Sequence, residues 1–334
     1  MKRLIVTLIP LFFAACCLID DDLSVCGEEL VINYALQLHI ELDVQLQTEL
    51  VTETEKPVRR ALEKWLEPIF TDRAKDIDLR FYSAGLDDIR YQIEEVINDN
   101  RTSYKLKLPQ ENYMHLALAN IEDNREMNVL DGAHSETMQL RLSDKQEVNS
   151  LNTGVFTARL PMDVNDTVRR FDVHLYMVTA AVALVIDTTG CDSVQSISGT
   201  MEGSACGFSV RDSVFLYTAS PRILLENVPV ETDGAAPLRR VAGQEASPYL
   251  CMGAVGLATK DDAPWSLTVT TTLLGDRHTT TTLTVDEPLK AGTLRIIRLN
   301  MGKQGGLDPE EGEDEVGASV ALDWEEGGEH EVEM

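Results

Sequence analysis

Clustered positive charge is what this chain most lacks: 29 Lys and Arg stand against 56 Asp and Glu, a net charge of −27. Phosphate contacts need grouped Lys and Arg, so nucleic acid is excluded as a partner. The same sign of charge opposes docking of the body on an anionic membrane surface. Histidine is sparse, and its six copies include no pair at three- or four-residue spacing. Neither a metal cluster nor an acid–base pair is therefore marked, and no cofactor is implied. No CxxC, HExxH, GxSxG elbow, phosphate loop or dinucleotide fingerprint occurs. With 56 acids some carboxylates must lie close together, so such pairs carry no information about a secreted hydrolase. The acidic run from Asp308 to Glu315 contains Pro309 and its glycines are out of place for an EF-hand. The chain reads as a non-enzyme.

What is present begins at the first residues. Lys2 and Arg3 precede an apolar stretch from Leu4 to Ala15, broken only by Thr7 and Pro10. These twelve residues fall short of the about twenty that span a bilayer. A charged start, a short apolar segment and small residues before a cleavage point mark a secretory signal peptide. Phe13-Ala14-Ala15-Cys16 resembles the lipobox of bacterial lipoproteins, in which the cysteine thiol is acylated and becomes the new N-terminus. Two or more acyl chains, at about 0.8 kcal/mol per buried CH₂, hold a soluble body on a membrane stably. Cys16 is the expected lipidation site, with an acidic tether at Asp20-Asp21-Asp22 behind it.

Beyond the tether, apolar residues occupy every even position from Leu30 to Leu46, with mostly polar residues between them. Period two of this length predicts a strand with one buried and one wet face, divided by a bend. One helix is predicted after Thr54, with Pro57 in its first turn, a stripe of Val58, Ala61, Leu62, Trp65 and Leu66, and Pro68 at its end. Tyr104-Leu106-Leu108 and Met114-Leu116-Leu118, joined at Pro109–Asn112, predict a hairpin or strand pair. From Phe171 to Ile186 and onward, β signals alternate with Gly, Pro, Asp and Asn clusters. The fold class expected is mainly β, two β-sandwich domains with one helix in the first. The predicted divisions are a signal peptide at 1–15, a lipidated tether at 16–29, sandwich domains at 30–153 and 154–302, and an acidic linker with a last strand at 303–334.

Of six cysteines, Cys191 and Cys206 flank a Ser/Gly-rich stretch and could close it by a disulfide, though each is equally a small core residue. The last 27 residues hold twelve acids and no Lys or Arg. Within them Val320, Leu322 and Trp324 alternate as a strand does. This piece could be donated to a neighbouring molecule or complete its own domain, and the second reading is favoured.

In this order, the lipobox and tether up to Leu23-Ser24-Val25-Cys26, the long alternating strand, Asp76–Tyr82, Tyr104–Pro109, Tyr113–Ala117, Gly154–Arg159 and Phe171–Tyr176 resemble the FimB/Mfa2-type fimbrial subunits of Bacteroidales. That family includes the anchors of type V pili. The resemblance implies transthyretin-like sandwich domains, outer-membrane attachment through Cys16 at the cell surface, and assembly with fimbrillin (pilin) subunits by strand complementation. The expected role is anchoring or terminating the pilus. A surface glycan-binding lipoprotein is the alternative, and its sugar-stacking residues would come from Trp65, Trp265 and Trp324.

Overall fold

The computed structural model describes residues 29–39, 56–70, 74–85, 87–96, 103–191, 193–230, 248–310 and 316–323. The chain is mainly β, as expected, with four sheets and one helix among the described residues.

The first sheet runs in the order Ile89–Val96 (β3), Asp76–Ser83 (β2), Asn112–Ala119 (β5), Phe156–Asp163 (β9), Arg170–Met177 (β10), Glu29–His39 (β1) and Ser103–Pro109 (β4). Alternation in β1 has the predicted effect: Leu30, Ile32, Tyr34 and Leu36 are buried, while Val31, Asn33 and Gln37 are exposed. β1 lies parallel to β10, with Leu36 opposite Val173, and antiparallel to β4, with Ile32 opposite Leu106. The hairpin expected across Pro109–Asn112 is not formed. β4 pairs with β1, whose apolar positions match its own, and β5 pairs with β2 and β9.

The helix, α1 (Lys56–Leu66), buries Val58, Ala61, Leu62 and Leu66 in the core of this sheet. Trp65 packs at the same core, and its ring covers Gly253 so closely that a Cβ there would collide with it. Its indole Nε1 donates to Glu226 at 2.6 Å.

A second sheet follows the order Glu226–Val228 (β16), Tyr249–Leu257 (β17), Thr179–Asp187 (β11), Leu294–Met301 (β20) and Leu307–Pro309 (β21). The uninterrupted apolar run of β11 explains its place, because both of its faces are buried. Ala181, Ala183 and Val185 join the core of the first sheet and α1. Ala180, Val182, Leu184 and Ile186 join a separate core on the other side. That core is closed by a third sheet in the order Val316–Asp323 (β22), Arg277–Val285 (β19), Trp265–Leu273 (β18), Val194–Glu202 (β12), Arg222–Leu224 (β15) and Glu147–Asn149 (β8). The fourth sheet, Val214–Leu216 (β14), Gly207–Ser209 (β13), Gln139–Leu142 (β7) and Met127–Leu130 (β6), packs Phe208, Leu140 and Leu142 into the first core.

Strands on either side of the division expected at residue 153 pair across it. β9 and β10 complete the first sheet, and β8 belongs to the third. The change of sheet falls at Val178, where the alternating β10 gives way to β11, apolar without a break from Ala180 to Ile186. A period-two strand suits a sheet with one covered face, and an unbroken apolar strand suits a layer covered on both.

Candidate assembly surface

Cys16 and Trp324 lie outside the described residues, as does the tether between Cys16 and Cys26. Cys191 and Cys206 are free thiols, so the disulfide that their spacing allowed is not formed. Cys191 is among the residues between the second and third sheets, 3.8 Å from the Lys303 carbonyl oxygen. Cys206 lies at 3.1 and 3.0 Å from the Leu216 and Thr218 carbonyl oxygens and accepts from Arg141 at 3.3 Å. Among the described residues, no group of three or more His, Cys, Asp or Glu side chains could hold a metal ion.

Val320 and Leu322 fall in β22, which completes the sheet of its own chain. β22 runs antiparallel to β19 over eight pairs, from Val316 opposite Val285 to Asp323 opposite His278. Leu283 and Val285 of β19 are fully buried, so withdrawing β22 would bare one side of an apolar ladder.

Among the described residues β22 is also an edge, with β19 its one neighbour in the sheet. The other edges are guarded in the ways edge strands usually are, by charge, proline or shortness. β3 carries Arg90, Glu94 and Glu95, and β4 carries Lys105 and Lys107. β8, β14, β16 and β21 are three residues long and β6 is four; β21 also ends in Pro309. β22 is eight residues long, and its first charge is Asp323 at the very end. Gly317, Ala318 and Ser319 are exposed. The sheet face behind this edge is equally neutral. Ser319 stands opposite Thr282 and Thr282 opposite Thr268, which faces Thr200; the next row sets Thr280, Thr270 and Ser198 side by side.

The first sheet is held differently. Tyr34, at the centre of β1, is 1% exposed, and its hydroxyl lies 2.6 Å from Nε2 of the fully buried His115. His115 Nδ1 lies 2.9 Å from the Arg80 carbonyl oxygen, which can only accept. The proton therefore sits on Nδ1, and Nε2 accepts from Tyr34. The Phe81 ring stacks on His115 at 4.3 Å, and Tyr34 meets both edge-on. Burial lowers the His115 pKa to about 4 and raises that of Tyr34 well above its ordinary value. The imidazole is thus a neutral clasp joining β1 to β5 and β2.

Of the two described tryptophans, Trp265 is 2% exposed with its Nε1 donating to Glu287, while Trp65, lying over Gly253, is half-buried. A cleft of about 510 Å³ beside β12 and β15 is lined by Lys145, Gln146, Glu202, Ser220 and Arg222, among others, and has no aromatic wall. Its cations are engaged, Lys145 with Glu126 and Arg222 with Glu147 and Glu202.

Sequence reasoning placed Met114, Leu116 and Leu118 on a core face but passed over His115 between them. β5 is buried on both sides, and the in-phase Tyr113, His115 and Ala117 were the available sign. It also passed over the bare edge, whose sign is the charge-free run between two acidic ones.

No protein-family model matches this chain, and no curated protein does either. Solved structures are similar in fold. A proposed adhesin from Bacteroides ovatus superposes with a TM-score of 0.52 at 10% identity, over 90% of this chain and 96% of that one. A fimbrial assembly protein from Parabacteroides distasonis gives 0.40 at 12% identity, over 89% and 100%. The fimbrial anchor protein Mfa2 from Porphyromonas gingivalis gives 0.42 at 11% identity, over 81% and 90%. At 10% identity the likeness to the Bacteroides ovatus adhesin shows a shared fold alone.

Proposed function

We propose that this chain is a fimbrial subunit at the cell surface, held in the outer membrane by acyl chains on Cys16. It joins fimbrillin subunits by strand complementation and anchors or terminates the pilus. The observation that carries the assembly half is β22, a strand set between acidic runs in the sequence, at a sheet edge that pairs with no further strand among the described residues. Main-chain groups along such a strand supply affinity, and alternate side chains supply register. The lipobox at Phe13–Cys16 carries the anchoring half. Neighbours described as an anchor, an assembly protein and an adhesin support a place in or on a fimbria. For the glycan-binding alternative the described residues offer, as a tryptophan to stack on a sugar, only Trp65, which is half-buried, its ring packed over Gly253 and its Nε1 bonded to Glu226.

The test is crosslinking on intact cells followed by mass spectrometry, together with envelope fractionation of Cys16→Ser. The expected outcome is a pilin crosslinked within residues 316–334 and a variant released from the envelope. Capture of lipids or saccharides alone, or a variant bound as firmly as the parent, would overturn the proposal.

A further inference from the structure

The cleft beside β12 and β15 opens onto the outer face of the third sheet, because Glu202 belongs to its lining and is also the last outward residue of β12. Pairing along that face sets Thr282, Thr268 and Thr200 in one row and Thr280, Thr270 and Ser198 in the next. Six neighbouring positions therefore carry hydroxyls and no charge, in a chain of net charge −27. With strands about 4.8 Å apart, the rows run roughly 10 Å from β19 to β12, and β15 with the cleft continues them. Each hydroxyl offers one donor and two acceptors. The bond between Thr270 and Thr280 at 3.2 Å uses a single donor.

The lining of the cleft is balanced in charge, Asp144 and Glu202 standing against Lys145 and Arg222. Lys145 is held by Glu126 at 3.0 Å, and Arg222 reaches Glu147 at 3.4 Å and Glu202 at 3.9 Å. An anionic ligand would have to take these cations from their carboxylates, and a cationic one would meet Lys145 and Arg222 themselves. What the cleft offers is both kinds of hydrogen bond within a short reach. The Arg222 contacts are longer than a good hydrogen bond, so its guanidinium keeps donors to give. Asp144 and Glu202 accept, and the Gln146 amide does both. A ligand that presents adjacent donors and acceptors without charge is a polyol, and a chain of sugars repeats that pattern from ring to ring.

We infer that the cleft and the hydroxyl rows together bind an uncharged oligosaccharide, one end in the cleft and the following rings across β12, β18 and β19. Threonine methyl groups touch the ring C–H groups, and the polar groups of the cleft select against charge. The lining holds no aromatic ring, so stacking adds nothing and binding is weak. The inference goes beyond the assembly reading and uses no residue of β22 and neither described tryptophan.

The probes are neutral hexasaccharides of glucose, xylose, mannose and galactose, with hexagalacturonate as the anionic counterpart, each added at millimolar concentration to the purified full-length protein. Saturation-transfer NMR reads binding, and hydrogen exchange followed by mass spectrometry locates it. At least one neutral probe is expected to bind and to slow exchange over Asp144–Gln146 and Ala219–Arg222, while hexagalacturonate does not bind. Arg222→Ala should weaken binding about tenfold, as loss of a charged donor does. Thr268→Val keeps the branched side chain, removes the hydroxyl, and should weaken it about threefold. Gln37→Ala, exposed on β1, should leave it unchanged. Three results would overturn the inference: no neutral probe binds, hexagalacturonate binds as tightly as the neutral probes, or binding survives both Arg222→Ala and Thr268→Val. None of them touches pilin crosslinking or release of Cys16→Ser, so the two readings fail separately.

Discussion

His115 and Tyr34 make the stability of the first sheet depend on acidity. Because burial holds the folded imidazole neutral down to about pH 4, the unfolded chain alone takes up a proton between about 6.5 and 4. Stability therefore falls as pH drops through that window, by on the order of 3 kcal/mol for this group. Urea unfolding at pH 7 and pH 5 should show the slope, and His115→Phe should flatten it. The same substitution leaves the Tyr34 hydroxyl buried without its acceptor, at a cost of about 1–3 kcal/mol at pH 7. The third sheet offers a contrast between two buried threonines. Thr271 is fully buried and its hydroxyl meets no partner, so Thr271→Val should raise stability by about 1 kcal/mol. Thr281 is as deeply buried but accepts from the Leu307 amide at 3.0 Å, so Thr281→Val should lower it by about 1 kcal/mol. Calorimetric melting of the two variants reads opposite signs. Neither role was legible in the sequence, since a Thr-rich run shows strand propensity and not which hydroxyl finds a partner.

At the scale of elements, local periodicity was a sound guide and partners were not. The even positions of β1 and the stripe of α1 are buried as their spacing requires. The connection at Pro109–Asn112 looked like a hairpin because short connections usually join neighbours, yet β4 pairs with β1 and leaves β5 elsewhere in the sheet. The sequence also signalled strand from Phe171 to Ile186 without marking Val178 as a change of sheet. Trp65 was read as a residue of the helix stripe; its place over Gly253 depends on a glycine far along the chain. Gly253→Ala should displace the indole and break its bond to Glu226, at about 1–3 kcal/mol as overpacking costs. Loss of stability with a shift in tryptophan emission checks this, and Trp65→Leu in the same background should restore part of the loss.

For the whole molecule, the sheet of β11, β17 and β20 matters most. The sequence suggested two domains, which commonly unfold in separate steps. With Ala183 in one core and Leu184 in the other, neither core survives loss of the shared strand. Thermal unfolding followed by far-ultraviolet circular dichroism and by tryptophan emission should give coincident single transitions. Two resolved steps would contradict the shared layer. The parallel pairing of β1 with β10 has its own outcome in time. The opening strand is made first, but its neighbour Arg170–Met177 comes much later in synthesis. Until then one edge of β1 lacks its partner, and pairing over so long a separation is slow. A nascent chain of this kind keeps that edge open to holding factors until about half of it has been made.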